Sequence, residues 1–288
     1  MKVISWNLLH GQPLPPPQTP LSPDLATSLL QGAALRLSEV GAEVIGLQEV
    51  DDSQSRSAHL SQVTTIAHAL GACDWAFAPA VIGTPGESWR PLTSGDEHIL
   101  IGGGGKGKST KKQPDSDPRY GIGLVSTIPV KKWHRIELGR SRIGLPLAIP
   151  SAKGSKAGMR FIYVRDEPRV GLAAELENGF TVAVTHLSFV PFVNYFQLIK
   201  IRRWLKALPG EPVLIGDLNL GWGLPVRGTQ WRSLRTMNTY PSWGAKIQFD
   251  YILMRANDLI NVVVEPLLIK ELGVSDHVPI GVEINANQ

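Results

Sequence analysis

Short runs that are apolar at nearly every position recur along the chain, bounded by turn-forming residues. They cover Val3 to Trp6, Val44 to Val50, Gly123 to Ser126, Phe180 to His186, Pro212 to Asp217, Phe249 to Met254, Asn261 to Val264 and Pro279 to Ile284. Runs of this length predict strands. Val44-Ile45-Gly46-Leu47 and Val213-Leu214-Ile215 have no polar face at all, so their sheets are expected to lie between other layers instead of facing water. Helical spacing appears three times. Ser22-Pro23-Asp24 offers a capping serine and a first-turn proline ahead of Leu25, Leu29, Ala33 and Leu37. A second helix is predicted over His59 to Leu70. The third, Asn194 to Leu208, sets Leu198, Ile201, Leu205 and Leu208 on one stripe and Lys200, Arg202, Arg203 and Lys206 largely away from it, which predicts a solvated basic face.

Two stretches read as irregular. Gly11 to Pro20 holds five prolines, and Gly83 to Pro118 holds four consecutive glycines and the basic run Lys106, Lys108, Lys111 and Lys112. Strand-forming residues resume on both sides of each. The expected organisation is one domain over residues 1–288 with long loops at about 11–21 and 83–119.

Composition then sets the class. With 43% hydrophobic and 19% charged residues, and mean hydropathy of -0.02, the chain can bury a sizeable core and is not generally disordered. A formal charge of +4 mildly favours anionic partners without demanding a nucleic acid. The lysine run reads more simply as solvated surface than as a polyanion contact. No segment is apolar for long enough to span a bilayer, and Met1 to Asn7 enters a strand pattern at once, unlike a secretory signal. The single cysteine, Cys73, forms no internal disulfide and leaves no thiolate cluster for zinc. Together these features predict a cytoplasmic protein. Nothing in the sequence identifies a partner protein.

The chemistry is concentrated where apolar strands stop, because such strands deliver their terminal residues to a common edge. Five segments do this: Ser5-Trp6-Asn7, Leu47-Gln48-Glu49-Val50-Asp51, Val184-Thr185-His186-Leu187, Ile215-Gly216-Asp217-Leu218-Asn219 and Ser275-Asp276-His277. Each has a plain alternative. Asp217-Leu218-Asn219 is also a turn signal, His186 also a core histidine, and Asp276-His277 also a loop or helix start. The joint pattern carries the inference. Taken in order, these segments together with Tyr120-Gly121 to Leu124-Val125-Ser126 and Phe249-Asp250-Tyr251-Ile252 resemble the endonuclease/exonuclease/phosphatase superfamily over almost the whole chain.

That resemblance implies an α+β fold, a four-layer α/β/β/α sandwich of two mostly antiparallel sheets flanked by helices, DNase-I-like, with the site at one end. It implies a phosphoric ester hydrolase with Asn7 and Glu49 as ligands or near-ligands of a divalent cation and Asp276 close by. It places Asp217 and Asn219 on the attacking water, His186 and His277 on the phosphate, and Asp250 behind His277. Arg56 and Arg169 lie in segments similar to those of bacterial members and read equally as phosphate contacts or as salt bridges. Tyr240 to Trp243 reads as lining for a leaving group or as packing. The branch that repairs abasic sites differs, having a tyrosine after the segment of His186 and an arginine where Gln248 stands. The secreted nucleases of this fold differ in being disulfide-linked.

Physical chemistry supports these roles. A phosphate ester repels an anionic attacker until a cation and fixed donors neutralise its oxygens. Glu49, Asn7 and Asp276 are hard oxygen donors suited to Mg²⁺ or Mn²⁺. Asp217 and Asn219, two apart, would lie on one side of an extended segment and share a water. His277 beside Asp276 and Asp250 would stay protonated. The function expected is metal-dependent hydrolysis of a phosphodiester, with nucleic acid slightly favoured over a phospholipid or a small metabolite.

Overall fold

The apolar runs become strands covered on both faces, and each face has its own core. Val3, Val44, Val213 and Ile215 enter an apolar layer between two sheets. Ile4, Ile45 and Leu47, on the alternate positions of the same strands, point the other way, into a layer shared with Leu30, Leu37 and Ile66 of two helices. Leu214, Ala183 and Leu253 pack instead against Leu198, Ile201 and Leu205 of the third. The result is the expected four layers, helix, sheet, sheet, helix.

The computed structural model describes residues 1–17, 19, 21–103, 117–150 and 159–287. In chain order its strands are β1 (Lys2–Asn7), β2 (Val44–Asp52), β3 (Asp74–Gly83), β4 (Trp89–Pro91), β5 (Leu100–Gly103), β6 (Arg119–Ser126), β7 (Val130–Gly139) and β8 (Leu145–Pro150). They continue with β9 (Met159–Val164), β10 (Arg169–Leu176), β11 (Phe180–His186), β12 (Glu211–Asp217), β13 (Trp231–Ser233), β14 (Asp250–Arg255), β15 (Val262–Pro266) and β16 (Ile280–Ala286). The helices are α1 (Pro23–Glu39), α2 (Gln62–Leu70) and α3 (Val193–Lys206). One sheet runs β15-β16-β1-β2-β6-β3-β4 with β5 on β3, and the second runs β13-β14-β12-β11-β10-β7. Strands β8 and β9 form a separate hairpin. Among the described residues no helix is long and apolar enough to cross a membrane.

Two parallel pairings, β1 with β2 and β11 with β12, interrupt an otherwise antiparallel design. Parallel neighbours need a crossover, and α1 and α3 supply it while covering the outer faces. The consequence is positional, because both members of a parallel pair end at the same edge. Asn7 therefore stands opposite Gln48, and His186 opposite Asp217. Strand β14 runs back from that edge with Asp250 opposite Asp217.

Some expectations change. The Ser22 Oγ does accept the Leu25 N–H, at 3.3 Å. Helix α2, however, starts at Gln62, because His59 takes a left-handed φ of 57° that no helix accommodates. Arg202 is not on a solvated face: it is buried, lies over the Trp231 ring and donates to the Pro225 carbonyl. The stretch from Gly83 is not wholly a loop, since β4 and β5 both pair with β3. Lys106, Lys108, Lys111 and Lys112 lie outside the described residues.

Candidate active site

The first sheet contributes an acid and an amide. The register between β2 and β6 slips between Leu47 and Val50, and Glu49 within the slip has φ 54°. A bulge of this kind re-aims a side chain that a regular pleat would point elsewhere. Asn7, fully buried, accepts the Leu9 N–H on its Oδ1 at 3.1 Å, which identifies the other end of the amide as the donor. Its Nδ2 donates to Glu49 Oε1 and to Asp217 Oδ2, both at 3.1 Å. One amide thus ties the two sheets together at the site. Leu9 and His10 then turn back with φ of 45° and 56°. This brings His10 Nε2 to 3.6 Å from Glu49 Oε2 and His10 Nδ1 to 3.6 Å from Asp51 Oδ1.

The second sheet contributes the remaining groups. Asp217 Oδ1 accepts the Asn219 N–H at 2.9 Å, and Asn219 has φ 49°. The two side chains therefore meet through a turn closed by the carboxylate itself, not through the extended spacing expected from sequence. The Asn219 Nδ2 donates to the Leu187 carbonyl at 2.9 Å and to His186 Nε2 at 3.1 Å. With both amide protons committed, Asn219 fixes the tautomer and direction of His186. Asp217 Oδ2 lies 3.7 Å from His186 Nε2 and 3.7 Å from His277 Nε2. His277 donates its Nδ1–H to Asp250 at 2.7 Å, and the Tyr240 ring packs on the imidazole with centroids 5.0 Å apart. Thr239 Oγ1 accepts the Phe249 and Asp250 N–H groups. Ser275, at φ 81°, donates to the Asn7 carbonyl at 2.6 Å and accepts the His277 N–H at 3.0 Å.

Burial and charge set the protonation states. Burial raises Asp217 to about 6, with Asp250 adding to the shift and His277 opposing it. Burial opposes charge on His277, but Asp250 and Asp217 outweigh it and lift the imidazole to about 10. His186 moves the other way, well below its usual value, through burial and the positive charges of Arg169, His277 and His10. Burial likewise lowers His10. At pH 8 ¹⁵N NMR should therefore show His277 as imidazolium and His186 as neutral. Asp250→Asn should convert His277 to the neutral form at that pH. Equal charge on both wild-type rings would contradict this electrostatic picture.

The site thus gathers Asn7, Glu49, His186, Asp217, Asn219, Asp250 and His277. Asp276 joins electrostatically. Burial raises its carboxyl with Glu49 adding to the shift, and the half-buried Tyr240 hydroxyl is raised first by desolvation and then by Asp276, Glu49 and Asp217. Three acids therefore face one space, a donor set that fits a hard divalent cation. Asp217, Asp250 and His277 also bring ligand atoms within 4.8 Å of one another. Yet His277 already carries a proton on the nitrogen facing Asp250, and an imidazolium does not bind a metal. Glu49 and Asp276 are the better carboxylates for a cation. Arg56 forms a two-pronged pair with buried Asp51 at 2.7 and 2.8 Å. Arg169, 4% exposed, pairs with Glu167 at 2.8 Å and Asp166 at 3.4 Å. Both arginines thus meet protein acids at the margin of the site. Trp243 is not packing, being 66% exposed. Sequence reasoning missed His10 and Tyr120, whose rings lie 5.7 Å apart beside Glu49.

Comparison with known proteins places this arrangement. The endonuclease/exonuclease/phosphatase family profile matches residues 4–277. A mannosyl-6-phosphatase of Bacteroides thetaiotaomicron is 12% identical, with 99% of each chain covered and a TM-score of 0.57. An endonuclease/exonuclease/phosphatase from Beutenbergia cavernae is 16% identical, with 99% of this chain and 71% of that chain covered and a TM-score of 0.59. Truncated TDP2 from Caenorhabditis elegans is 16% identical, with 99% and 97% covered and a TM-score of 0.52. At these identities the likeness is one of fold. No curated protein matches the chain in sequence.

Proposed function

The chain belongs to the endonuclease/exonuclease/phosphatase family, and on that premise we propose that it hydrolyses a phosphodiester with Asp217 as the base. The observation that carries this reading is the buried Asp217 carboxylate with two imidazoles at 3.7 Å, one of them held as a cation by Asp250. A base works best with a pKa near the operating pH, and Asp217 at about 6 is ionised at neutrality yet ready to take a proton. Asp217 accepts a proton from water as the water oxygen bonds to phosphorus. The ester P–O bond breaks on the opposite face, and the leaving oxygen takes a proton from solvent. His277, charged and oriented through Asp250, stabilises the negative phosphoryl oxygens as they develop. His186 is a neutral partner on the other side of Asp217, and Asn219 is a positioning residue that acts through it. Asn7 holds Glu49 and Asp217 apart at hydrogen-bond distance from one nitrogen, so their charges do not meet directly. Glu49 and Asp276, with Asn7 beside them, would hold Mg²⁺ or Mn²⁺, which supplies charge neutralisation at the phosphate. Arg56 and Arg169 act by holding Asp51 and Glu167 in place, and through these the margin of the site.

A phosphodiester, nucleic acid first, is the favoured substrate. Phe192, Trp222 and Trp243 on loops, and Phe196 in the first turn of α3, are 66–83% exposed in segments that adjoin the strand ends bearing His186, Asp217 and Asp250. Phe192 and Trp222 also take left-handed φ of 66° and 54°, an unusual cost for bulky residues in open solvent. Flat apolar surface there suits a stacked base, and it equally suits the acyl edge of a phospholipid, the second reading. Purified protein is expected to turn over bis-(p-nitrophenyl) phosphate with Mg²⁺ and to stop when the metal is chelated. Turnover that persists in chelator would remove the metal from the mechanism. A panel of oligonucleotide, phospholipid vesicle and sugar phosphate ranks the substrates.

A further inference from the structure

At the catalytic end, outside the centre described above, two arginines converge on one indole. The guanidinium carbons of Arg140 and Arg165 lie 5.3 and 5.6 Å from the Trp89 ring centroid. Both arginines are exposed, and among the described residues neither has a carboxylate within 4.0 Å. The sequence makes the shortage general: from Arg140 to Arg165 there are six cationic residues, with Arg142, Lys153, Lys156 and Arg160 between them, and no Asp or Glu. An aromatic face attracts each guanidinium. The two cations share one ring and repel each other, and no described carboxylate relieves them.

The fold holds the pair in register with the centre. Buried Asp166 accepts the Ser141 N–H at 2.6 Å and the Ser188 Oγ–H at 2.9 Å. The residues that follow Arg140 and Arg165 are thereby clamped to each other and to the segment just past His186. Gly139 closes β7 just before Arg140, Arg169 opens β10 opposite Gly139, and His186 closes β11. Neighbouring strands are about 4.8 Å apart, so the backbone at the end of β7 lies about 10 Å from that of His186 along the sheet edge. Trp89 opens β4 of the other sheet at that same end, opposite Gly83.

We propose that Trp89, Arg140 and Arg165 form an accessory phosphate subsite that binds a polynucleotide strand at a phosphate distinct from the one cleaved. This rests on the phosphoesterase reading for the scissile phosphate and names its substrate class. A guanidinium fork matches two phosphate oxygens, and one phosphate between two such forks relieves their repulsion. A cation pair set aside from the centre suits a substrate whose phosphates repeat along a chain.

Binding of a fluorescent single-stranded oligodeoxynucleotide is measured by anisotropy against salt, in an Asp217→Asn background with chelator so that the probe survives. Arg140→Ala with Arg165→Ala should weaken binding about tenfold and reduce the slope of log Kd against log salt by about 1.4, or 0.7 for each cation. Lys131→Ala with Lys132→Ala removes the same charge from exposed positions at the other end of β7 and is the control for net charge. Equal slopes in the two double variants would overturn the subsite, as would an oligonucleotide that does not bind while phosphatidylserine vesicles do. Wild-type turnover of bis-(p-nitrophenyl) phosphate is scored separately. Its absence alongside the slope change sinks the hydrolase and leaves the subsite, and its presence with equal slopes does the reverse.

Discussion

Asparagine at position 217 should lower kcat/KM for a phosphodiester by about 10⁴-fold, which corresponds to about 5 kcal/mol of transition-state stabilisation. The replacement keeps the shape of the side chain and removes the acceptor for the water proton. It also removes a cost. Asp217 is raised from 3.8 to about 6 chiefly by burial, so its ionised form is disfavoured in the fold. That penalty is absent below about pH 4, where folded and unfolded chains are both protonated, and is fully present above about pH 6. The amide sheds that penalty but turns one of the two oxygens that accept from Asn7 and Asn219 into a donor, a loss of similar size. The variant should therefore stay within about 1–2 kcal/mol of wild type at pH 7.5 by chemical denaturation while activity collapses. Activity within tenfold of wild type would exclude Asp217 as the base. A large loss of stability would show that the fold, not the chemistry, had failed. The wild-type profile of log kcat/KM against pH should fall on the acid side as Asp217 takes up its proton. That midpoint is at or below about 6, since a bound cation lowers it further. On the alkaline side it should hold until His277, at about 10, loses its charge. The variant should lack the acid limb.

The strands that bear the site were legible because burial on both faces leaves an unmistakable apolar run, as in Val182 to Val184 and Val213 to Ile215. The strands that were missed lack this signature for physical reasons. Strand β7 is an edge strand, and its exposed Lys131, Lys132 and Glu137 break the run, as charges on sheet edges commonly do. Strand β10 is rich in glycine and alanine, and its neighbours β7 and β11 force it into the sheet. Strand β3 contains Pro79, which argues against a central strand. The structure absorbs it where the register with β6 shifts between Pro79 and Val81.

For the site, residue type and order pointed to Glu49, Asp217 and His277, and the structure brings them together through Asn7. What stayed hidden depends on backbone conformation that no side-chain pattern encodes. His10 reaches Glu49 because Leu9 and His10 both take left-handed φ. A histidine three residues past Asn7 was the available signal. Asn219 meets Asp217 by a turn, and its amide is spent on His186 and a carbonyl. For Arg56 and Arg169 the sequence left phosphate contact and salt bridge equally open, and the buried acids Asp51 and Glu167 decide for the salt bridge.

Alanine at Gly216 should cost about 3 kcal/mol of folding stability or more, because the glycine beside the base has no room for a side chain. Its φ is 149°, and a Cβ there would lie 2.0 Å from the Thr185 carbonyl oxygen. That oxygen cannot retreat. Thr185 is paired with Gly216 on one side and with Gly171 on the other, and its hydroxyl is bonded to the Val170 carbonyl at 2.9 Å. Gly46, between the sheets, offers the contrast. A Cβ there would meet Ile215 Cδ1 at 2.5 Å and Val184 Cγ2 at 2.9 Å, the ends of side chains that can shift. Gly46→Ala should cost about 1–2 kcal/mol, and Ile215→Val should recover about half of it in a double-mutant cycle. No truncation of Thr185 should rescue Gly216→Ala, since the obstruction is backbone. Denaturation midpoints decide the matter, and rescue by Thr185→Gly or a cost below 1 kcal/mol would refute the account. The effect reaches catalysis, because His186 and Asp217 are the next register pair. A shift of about 1 Å there costs about a hundredfold in rate, and kcat measured at a temperature where the variant stays folded should show it.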